Sequence, residues 1–227
     1  MRRALVFAVS LPAPHRVIAI DGPAASGKSS VARQLARQLG FDYVNSGAMY
    51  RAVTWHLLQH GIDPGDGDAV ARLLESSRIE CDFTDNGSRI RIDGFDPASH
   101  LHDDAVNEKV SLVSSIPRVR EILVEKMHAG AGDRDVVVEG RDIGSVVFPE
   151  TPYKFYIDAS PEVRLRRRVA QGQLDHVLAR DQADSSRQVA PLVVAKDAHF
   201  IDSSDLSIEG VVDEIIGRLK AKGMIAN

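Results

Sequence analysis

Residues 16–29 read RVIAIDGPAASGKS, and this stretch decides the fold. Its first part, RVIAID, is an apolar, β-rich run typical of a buried parallel strand. The remainder matches the pattern G-x-x-x-x-G-K-[ST] at every fixed position. Glycines in such a turn let successive backbone N–H groups surround an anion, and the helix that follows adds its positive N-terminus. We therefore predict a phosphate-binding loop between a strand and a helix.

Two side chains of this loop have specific predicted tasks. Lys28 would reach the β- and γ-phosphates of ATP, and the Ser29 hydroxyl would be a ligand of Mg²⁺. A glycine-rich turn with a surface lysine is the alternative interpretation, and the position of the motif between a strand and a helix argues against it. The predicted nucleotide-binding residues are Gly22, Pro23, Ala24, Ala25, Ser26, Gly27, Lys28, Ser29 and Ser30.

The elements around the loop predict the fold class. Val31, Leu35 and Leu39 form the apolar stripe of a helix over 29–39, which Gly40 ends. The other predicted core elements are strands at 41–44, 135–139, 153–157 and 199–201 and helices at 48–60, 161–169 and 207–222. Strands and helices that alternate in this way form a parallel sheet. We predict an α/β protein with the three-layer P-loop fold.

The middle of the chain interrupts this alternation. Residues 78–83 and 88–93 alternate in polarity around Asp85-Asn86-Gly87, which is a strong hairpin signal. Helices are predicted to follow at 104–115 and 117–129. The predicted organisation is a flexible lead over 1–15, a P-loop kinase core over 16–61 and 117–227 with a lid at 164–187, and a monophosphate-binding insert over 62–116.

Composition excludes several classes of partner. The 227 residues carry a net charge of −4 and a sequence pI of ≈ 6.1, whereas a nucleic-acid-binding domain shows a basic face or a pI above about 9. No apolar run reaches the ~18 residues of a membrane helix. Cys81 is the only cysteine, so a reducing compartment, the cytoplasm, is expected. We expect a monomer that binds neither nucleic acid nor a membrane.

The loop alone does not distinguish GTPases, transport ATPases and kinases. The guanine-reading N-K-x-D element is absent from the sequence, and arginines recur where a second phosphate would lie. A monophosphate acceptor has a second pKa of ~6 and is largely ionised at pH 7. An enzyme acting on it would therefore need positive charge rather than a strong general base.

Four separated motifs resemble those of the bacterial cytidylate kinases, in the same order and spacing from about residue 16 to the end. They are NSGAMYR at 45–51, PRVR at 117–120, GRDIG at 140–144 with VFP at 147–149, and the set Arg180-Asp181, Asp184, Arg187 and Ala190-Pro-Leu192. The resemblance implies an enzyme that moves the γ-phosphate of ATP to CMP or dCMP with Mg²⁺. It also implies that the 62–116 insert binds the monophosphate.

The resemblance further implies roles for individual residues. Ser46, Arg51 and Arg141 would hold the acceptor phosphate; Ser111, Arg120, Asp142 and Arg187 would surround cytosine; Arg180 with Asp184 would contact the pentose. The charges expected to act in the transfer are those of Lys28, Arg51, Arg141 and Arg180. Cytosine presents an amino donor beside two acceptors, so a carboxylate with donors suits it. Uracil would place O4 against that carboxylate.

Several alternatives stay open at this point. Ser46 with Gly47 could only cap a helix, Asp142 could be a structural partner of an arginine, and single arginines such as Arg51 or Arg120 could be solvated. Arg180, Asp184 and Arg187 also have the spacing of an exposed helical charge pattern. For the whole protein, the alternatives are a P-loop kinase for UMP, AMP or shikimate, or a nucleotide sensor without catalysis.

The sequence also departs from the family pattern in three places, the mildest of which is Ser145 where the family has threonine. The cluster Arg164, Arg166, Arg167 and Arg168 would supply one or two lid arginines to ATP, but the stretch after it is shorter than in the family. Glu139 stands where an aspartate often precedes the GRDIG motif, so the carboxylate is retained and an indirect Mg²⁺ role is still expected.

Overall fold

The computed structural model describes residues 15–84, 87–170 and 177–225, so the predicted lead lies outside it except for His15. Within these ranges the strands form a seven-stranded sheet. The strands are β1 (Val17–Asp21), β2 (Asp42–Asn45), β3 (Ile79–Thr84), β4 (Gly87–Ile92), β5 (Val136–Gly140), β6 (Tyr153–Asp158) and β7 (His199–Asp202). The predicted α/β class is confirmed.

Helices cover both faces of the sheet. They are α1 (Lys28–Leu39), α2 (Ser46–Gln59), α3 (Gly67–Ser76), α4 (Asp104–Val113), α5 (Pro117–Ala131), α6 (Pro161–Ala170), α7 (Val177–Ser185) and α8 (Ile208–Ala221). The predicted elements are all present, with ends shifted by a few residues. Helix α3 was not predicted, although Asp66 gives it a clear start because its carboxylate accepts a hydrogen bond from the Ala69 N–H at 2.9 Å.

The strand order brings three functional segments to one edge of the sheet. That order is β4-β3-β2-β5-β1-β6-β7, with β2, β5, β1, β6 and β7 parallel. The register places Asp21 opposite Gly140 and Asn45 opposite Glu139, so β1, β2 and β5 end at the same level. Ligands bind outside the carboxyl ends of such strands.

Each face of the sheet has its own hydrophobic core. On β1, Ile18 and Ile20 point to the cluster that includes Val31 of α1 and Ile215 of α8. Ala19, between them, belongs to the opposite cluster, with residues of α2, α4 and α5. Burial on both faces explains why the sequence of this strand is apolar without alternation. None of the helices in the described ranges is long and apolar enough to cross a membrane.

The predicted hairpin continues the main sheet. Strand β3 pairs antiparallel with β4 and also with β2, through Tyr43 and Thr84. Ile79 and Ile92 of the hairpin share a core cluster with Leu57 of α2 and Leu123 of α5. Residues 62–116 therefore pack against the P-loop part through a common core, and their division into a separate domain stays a prediction.

A glycine of α5 makes this packing testable. A Cβ atom at Gly130 would lie 1.8 Å from Cε2 of Phe83, in the ring that β3 contributes to the core. Gly130→Ala should lower the free energy of unfolding by about 1–3 kcal/mol, because a packed ring must move. Gly217→Ala in α8, where nothing lies within 4 Å, should raise it by about 0.5–1 kcal/mol. Urea unfolding of both variants measures this, and equal stabilisation by the two would contradict it.

Candidate active site

The predicted phosphate loop connects β1 to α1. Its backbone takes left-handed values at Gly22 (φ 153°), Ala25 (φ 59°) and Gly27 (φ 92°), and α1 begins directly afterwards at Lys28. A Cβ at Gly22 would lie 2.0 Å from the carbonyl oxygen of Ile157, so only glycine fits there. Lys28 is buried, and its Nζ donates to the Pro23 carbonyl at 3.0 Å. The loop therefore has the curvature that an anion needs.

A cleft of about 250 Å³ joins the loop to the predicted acceptor residues. Its wall includes these predicted nucleotide-binding residues: Ala24, Ala25, Gly27, Lys28, Ser29 and Ser30. It also includes these predicted acceptor-binding residues: Ser46, Arg51, Ser111, Arg141, Asp142, Asp184 and Arg187. One cavity therefore holds most of both sets, although they come from distant parts of the chain.

Ser29 and Glu139 form the part of the cleft that suits a divalent cation. The Ser29 hydroxyl donates to Oε1 of Glu139 at 2.8 Å, and Glu139 is almost fully buried at the end of β5. Among the described residues no group of three or more His, Cys, Asp and Glu side chains could hold a metal. A hydroxyl beside one carboxylate fits Mg²⁺, because that ion keeps most of its oxygen ligands from water and substrate phosphates.

The start of α2 places Ser46 and Arg51 at the cleft. The Asn45 side chain, not that of Ser46, caps the helix by accepting from the Ala48 N–H at 2.9 Å. The interpretation of Ser46 as a cap is therefore wrong; its hydroxyl donates to the Glu139 carbonyl at 2.8 Å. Arg51 is only 7% exposed and donates to the Leu101 carbonyl at 2.8 Å, so it is not a solvated helix residue.

Asp184 collects donors from three elements. Its carboxylate accepts from the Ser111 hydroxyl at 3.1 Å, from Nε of Arg141 at 2.8 Å and from Arg187. Arg141 also donates to the Gly22 carbonyl at 2.9 Å and so connects this carboxylate to the phosphate loop. Because Asp184 is only 2% exposed, it does not belong to an exposed helical charge pattern.

Asp142 forms a buried ion pair with Arg120. The two side chains are each 6% exposed, and Arg120 also donates to the Ser114 carbonyl at 3.2 Å. Burial raises the pKa of Asp142, and the charge of Arg120 opposes that rise. Asp142 is thus both an arginine partner and part of the cleft wall, while Arg120 lies behind it.

Two residues of the site were not singled out by sequence reasoning. Asp21 is 4% exposed and accepts from the Ile143 N–H at 2.7 Å and the Gly144 N–H at 2.8 Å. Burial raises the pKa of this carboxyl to about 7, against the lowering effect of those two hydrogen bonds. Its signal was a lone acid ending an apolar strand before the loop. Tyr50 lines the cleft, and its ring centroid lies 5.7 Å from the guanidinium carbon of Arg120. Its signal in the sequence was its place beside Arg51.

Helices α6 and α7, which overlap the predicted lid, hold the outer side of the phosphate loop. Arg164 donates to the Ala24 carbonyl at 3.2 Å and pairs with Asp181, whose other oxygen accepts from the Ala24 N–H at 2.9 Å. Arg167 donates to the Ser26 carbonyl at 3.2 Å, and Arg168 lines the cleft. Residues 171–176, the shortened stretch, and the side chain of Arg180 lie outside the described residues, although α7 includes position 180.

Comparison with known proteins identifies the family. The family model described as cytidylate kinase matches residues 18–221. A cytidylate kinase of Mycobacterium avium (strain 104) is 44% identical over 224 residues, which cover 92% of this chain and 97% of the relative. One of Oceanobacillus iheyensis is 41% identical, covering 89% and 93%. A solved shikimate kinase of Acinetobacter baumannii aligns with a TM-score of 0.45 and 13% identity over 93% of this chain and 96% of its own, which is too distant to support a conclusion.

The buried carboxyl of Asp21 makes stability depend on pH. It keeps its proton to a pH of about 7 in the folded chain, whereas its ordinary pKa is 3.8. The stabilising contribution of the protonated Asp21 carboxyl to the free energy of unfolding is therefore complete below pH 3.8 and is lost as the pH rises through about 7. Relative to the wild type, Asp21→Asn should become more stable by up to about 4 kcal/mol between pH 4 and pH 8.

Urea unfolding of both proteins across this range measures that difference. The two proteins share every other titrating group, so the difference isolates Asp21. A difference that stays constant over this range would mean that the carboxyl ionises at its ordinary pKa.

Proposed function

The chain belongs to the cytidylate kinase family, and we propose that the cleft beyond β1, β2 and β5 is where it phosphorylates CMP or dCMP. The enzyme is an ATP-dependent (d)CMP kinase, with ADP and CDP or dCDP as products. One observation carries the assignment of the site. A single cleft joins the phosphate loop with Lys28 to two arginines from other parts of the chain, the buried Arg51 and the partly buried Arg141.

The donor half of the cleft would be the phosphate loop and the lid. Backbone N–H groups over 22–30 and the Lys28 ammonium would bind the phosphates of ATP. Arg164 and Arg167 hold loop carbonyls from outside, so their role would be to keep the loop in shape. Arg168, which lines the cleft, is the lid arginine that we propose reaches ATP.

The acceptor half would be built from α2, α4, α5, α7 and the segments that follow β5 and α7. Ser46, Arg51 and Arg141 would hold the phosphate of CMP, and Ser111, Arg120, Asp142 and Arg187 would surround the base. Arg180 and Asp184 would contact the pentose. The ion pairs of Asp184 support this assignment, because they keep Arg141 and Arg187 at the cleft wall before the substrate arrives. The ion pair with Arg120 keeps Asp142 there in the same way.

The chemistry would depend on charge and position. The CMP phosphate is largely ionised at pH 7, so no side chain has to remove a proton before it attacks the γ-phosphorus. Lys28, Arg51, Arg141 and Arg180 would offset the repulsion between the two anions and stabilise the charge that develops on the equatorial oxygens. Closure of the lid over the cleft would exclude water, which would otherwise take the phosphoryl group.

Mg²⁺ is the proposed metal, with ATP as the donor. Ser29 would be its protein ligand, and Glu139 would hold a water of its shell, since the two side chains already lie 2.8 Å apart. When bound, the ion would neutralise charge on the β- and γ-phosphates. The remaining ligands would come from the nucleotide and from water.

The domain boundaries and cellular setting are further proposals. We take 62–116 as the unit that closes on the acceptor and 164–187 as the lid, each moving against the core. The 62–116 unit carries Ser111, whose hydrogen bond to Asp184 of α7 would allow the two movements to be coupled. We also propose a monomer that works in the cytoplasm on free nucleotides, without a nucleic-acid or membrane partner.

A coupled assay with a panel of acceptors tests the function. ADP formation should be at least about 100-fold more efficient with CMP or dCMP than with UMP, AMP or shikimate, because the base site would match the amino donor and the two acceptors of cytosine together. Lys28→Ala should lower kcat by about 100-fold or more while the chain stays folded, since Lys28 acts on the transferring oxygens. Exposed Lys222→Ala is the matched control and should keep full activity. Near wild-type turnover by Lys28→Ala would reject the loop assignment, and binding of ATP without any turnover would favour a sensor.

A second measurement tests whether Asp142 recognises the cytosine base. Asp142→Asn should lower the CMP/UMP ratio of kcat/KM by about 10- to 100-fold, because the acceptor for the cytosine amino group is weakened. Asp197→Asn is a matched control, since Asp197 also partners a buried cation, Lys154, but lies outside the cleft wall. An unchanged ratio in Asp142→Asn would make Asp142 a structural partner of Arg120 alone.

A further inference from the structure

Asp21 connects the end of the first strand to the turn that carries the acceptor-binding residues. We infer that Asp21 is a positioning residue for the acceptor, because its carboxylate fixes the turn that presents Arg141 and Asp142 to the cleft. This inference rests on the proposed function, which assigns those two side chains to CMP. Asp21 itself would touch neither substrate.

Each oxygen of the Asp21 carboxylate accepts one backbone hydrogen bond from the turn. Oδ1 accepts from the Ile143 N–H at 2.7 Å, and Oδ2 accepts from the Gly144 N–H at 2.8 Å. Both N–H groups open the single π-helical turn Ile143–Val147, so they have no earlier carbonyl of that turn to bind. Ile143 is 0% exposed and Asp21 is 4% exposed. Without the carboxylate, buried N–H donors would be left unpaired.

The turn transmits this constraint directly to the site. Arg141 and Asp142 immediately precede it, and the Asp142 carbonyl accepts from the Val146 and Val147 N–H groups at 2.9 and 3.1 Å. A shift of the turn therefore moves Asp142. A Cβ at Gly144 would lie 3.1 Å from Cγ and Cδ of Lys154 and 3.4 Å from Oδ2 of Asp21. Both side chains therefore lie close to the turn at Gly144.

The phosphate loop depends much less on this side chain. The backbone of Asp21 lies in the sheet, with Gly140 opposite it on β5 and Tyr156 opposite it on β6. These pairings place the start of the loop at Gly22 whatever side chain residue 21 carries. Loss of the Asp21 carboxylate should therefore weaken binding of the acceptor more than binding of ATP.

Asp21→Asn is the sharpest substitution because it preserves the size of the side chain. Asparagine has one acceptor oxygen, so its NH₂ group would face one of the two N–H donors. At pH 8, above the pKa of about 7 of the Asp21 carboxyl, the variant should raise KM for CMP by about tenfold or more. The dissociation constant of ADP, measured by calorimetry, should change by less than about twofold, because the ladder still places the loop.

Asp135→Asn is the matched control. Asp135 also joins β1 to β5, at their opposite end, where its Oδ1 accepts from the Arg16 N–H at 2.7 Å. This variant should lose stability but keep both substrate constants. The inference is overturned if Asp21→Asn leaves KM for CMP unchanged, if it weakens CMP and ADP equally, or if Asp135→Asn produces the same selective loss.

Arg141→Ala in the same assay distinguishes failure of the proposed acceptor site from failure of the positioning role of Asp21. If Arg141→Ala leaves KM for CMP unchanged, the proposed acceptor site is wrong. If Arg141→Ala raises KM and Asp21→Asn does not, only the positioning role of Asp21 fails.

A measurement on the wild type covers the case in which Asp21→Asn does not fold. If the ordered turn favours binding of the acceptor, binding of the acceptor must stabilise the ordered turn by the same free energy, because linkage is reciprocal. CMP alone should slow amide exchange at Ile143 and Gly144 by about tenfold or more, and ADP alone by less than about twofold. Equal protection by both nucleotides would overturn the inference.

Discussion

The parallel pairing of β1 with β5 is the constraint on which the rest of the site depends. This ladder sets Asp21 opposite Gly140, so two segments more than a hundred residues apart in sequence leave the sheet side by side. One becomes the phosphate loop and the other carries Arg141 and Asp142. The hydrogen bond from Arg141 to the Gly22 carbonyl exists only because of this register.

The cost of burying charge explains why the arginines at and near the cleft are paired with carboxylates. Several arginines have to be buried near the place where two anions would meet, and an unpaired buried charge is costly. Three carboxylates supply the balance within the chain: Asp184 partners Arg141 and Arg187, Asp142 partners Arg120, and Asp181 partners Arg164. Substrate phosphates would enter a site whose cations are already in position, which lowers the cost of ordering them.

The hairpin connects the predicted insert to the predicted core, which the sequence analysis treated as separate parts. It extends the sheet next to β2 and contributes to a core shared with α2 and α5. The same region continues into α4, where the Ser111 hydroxyl reaches Asp184 of α7. A movement of α4 would therefore reach α7, which also holds the phosphate loop through Asp181.

The sequence by itself determined the elements whose signals are local. The G-x-x-x-x-G-K-[ST] spacing, the unbroken apolar strands and the turn residues predicted the loop, the parallel sheet and the hairpin, because backbone curvature and burial on both faces are encoded in neighbouring residues. The acceptor-binding residues came from family resemblance, and their roles stay predictions. Only the tertiary structure decided that Asn45 caps α2 and that Asp142 pairs with Arg120. It also decided that Asp21 binds the turn at Ile143 and Gly144. Such pairings join residues whose separation in space is set by sheet register, which no local pattern specifies.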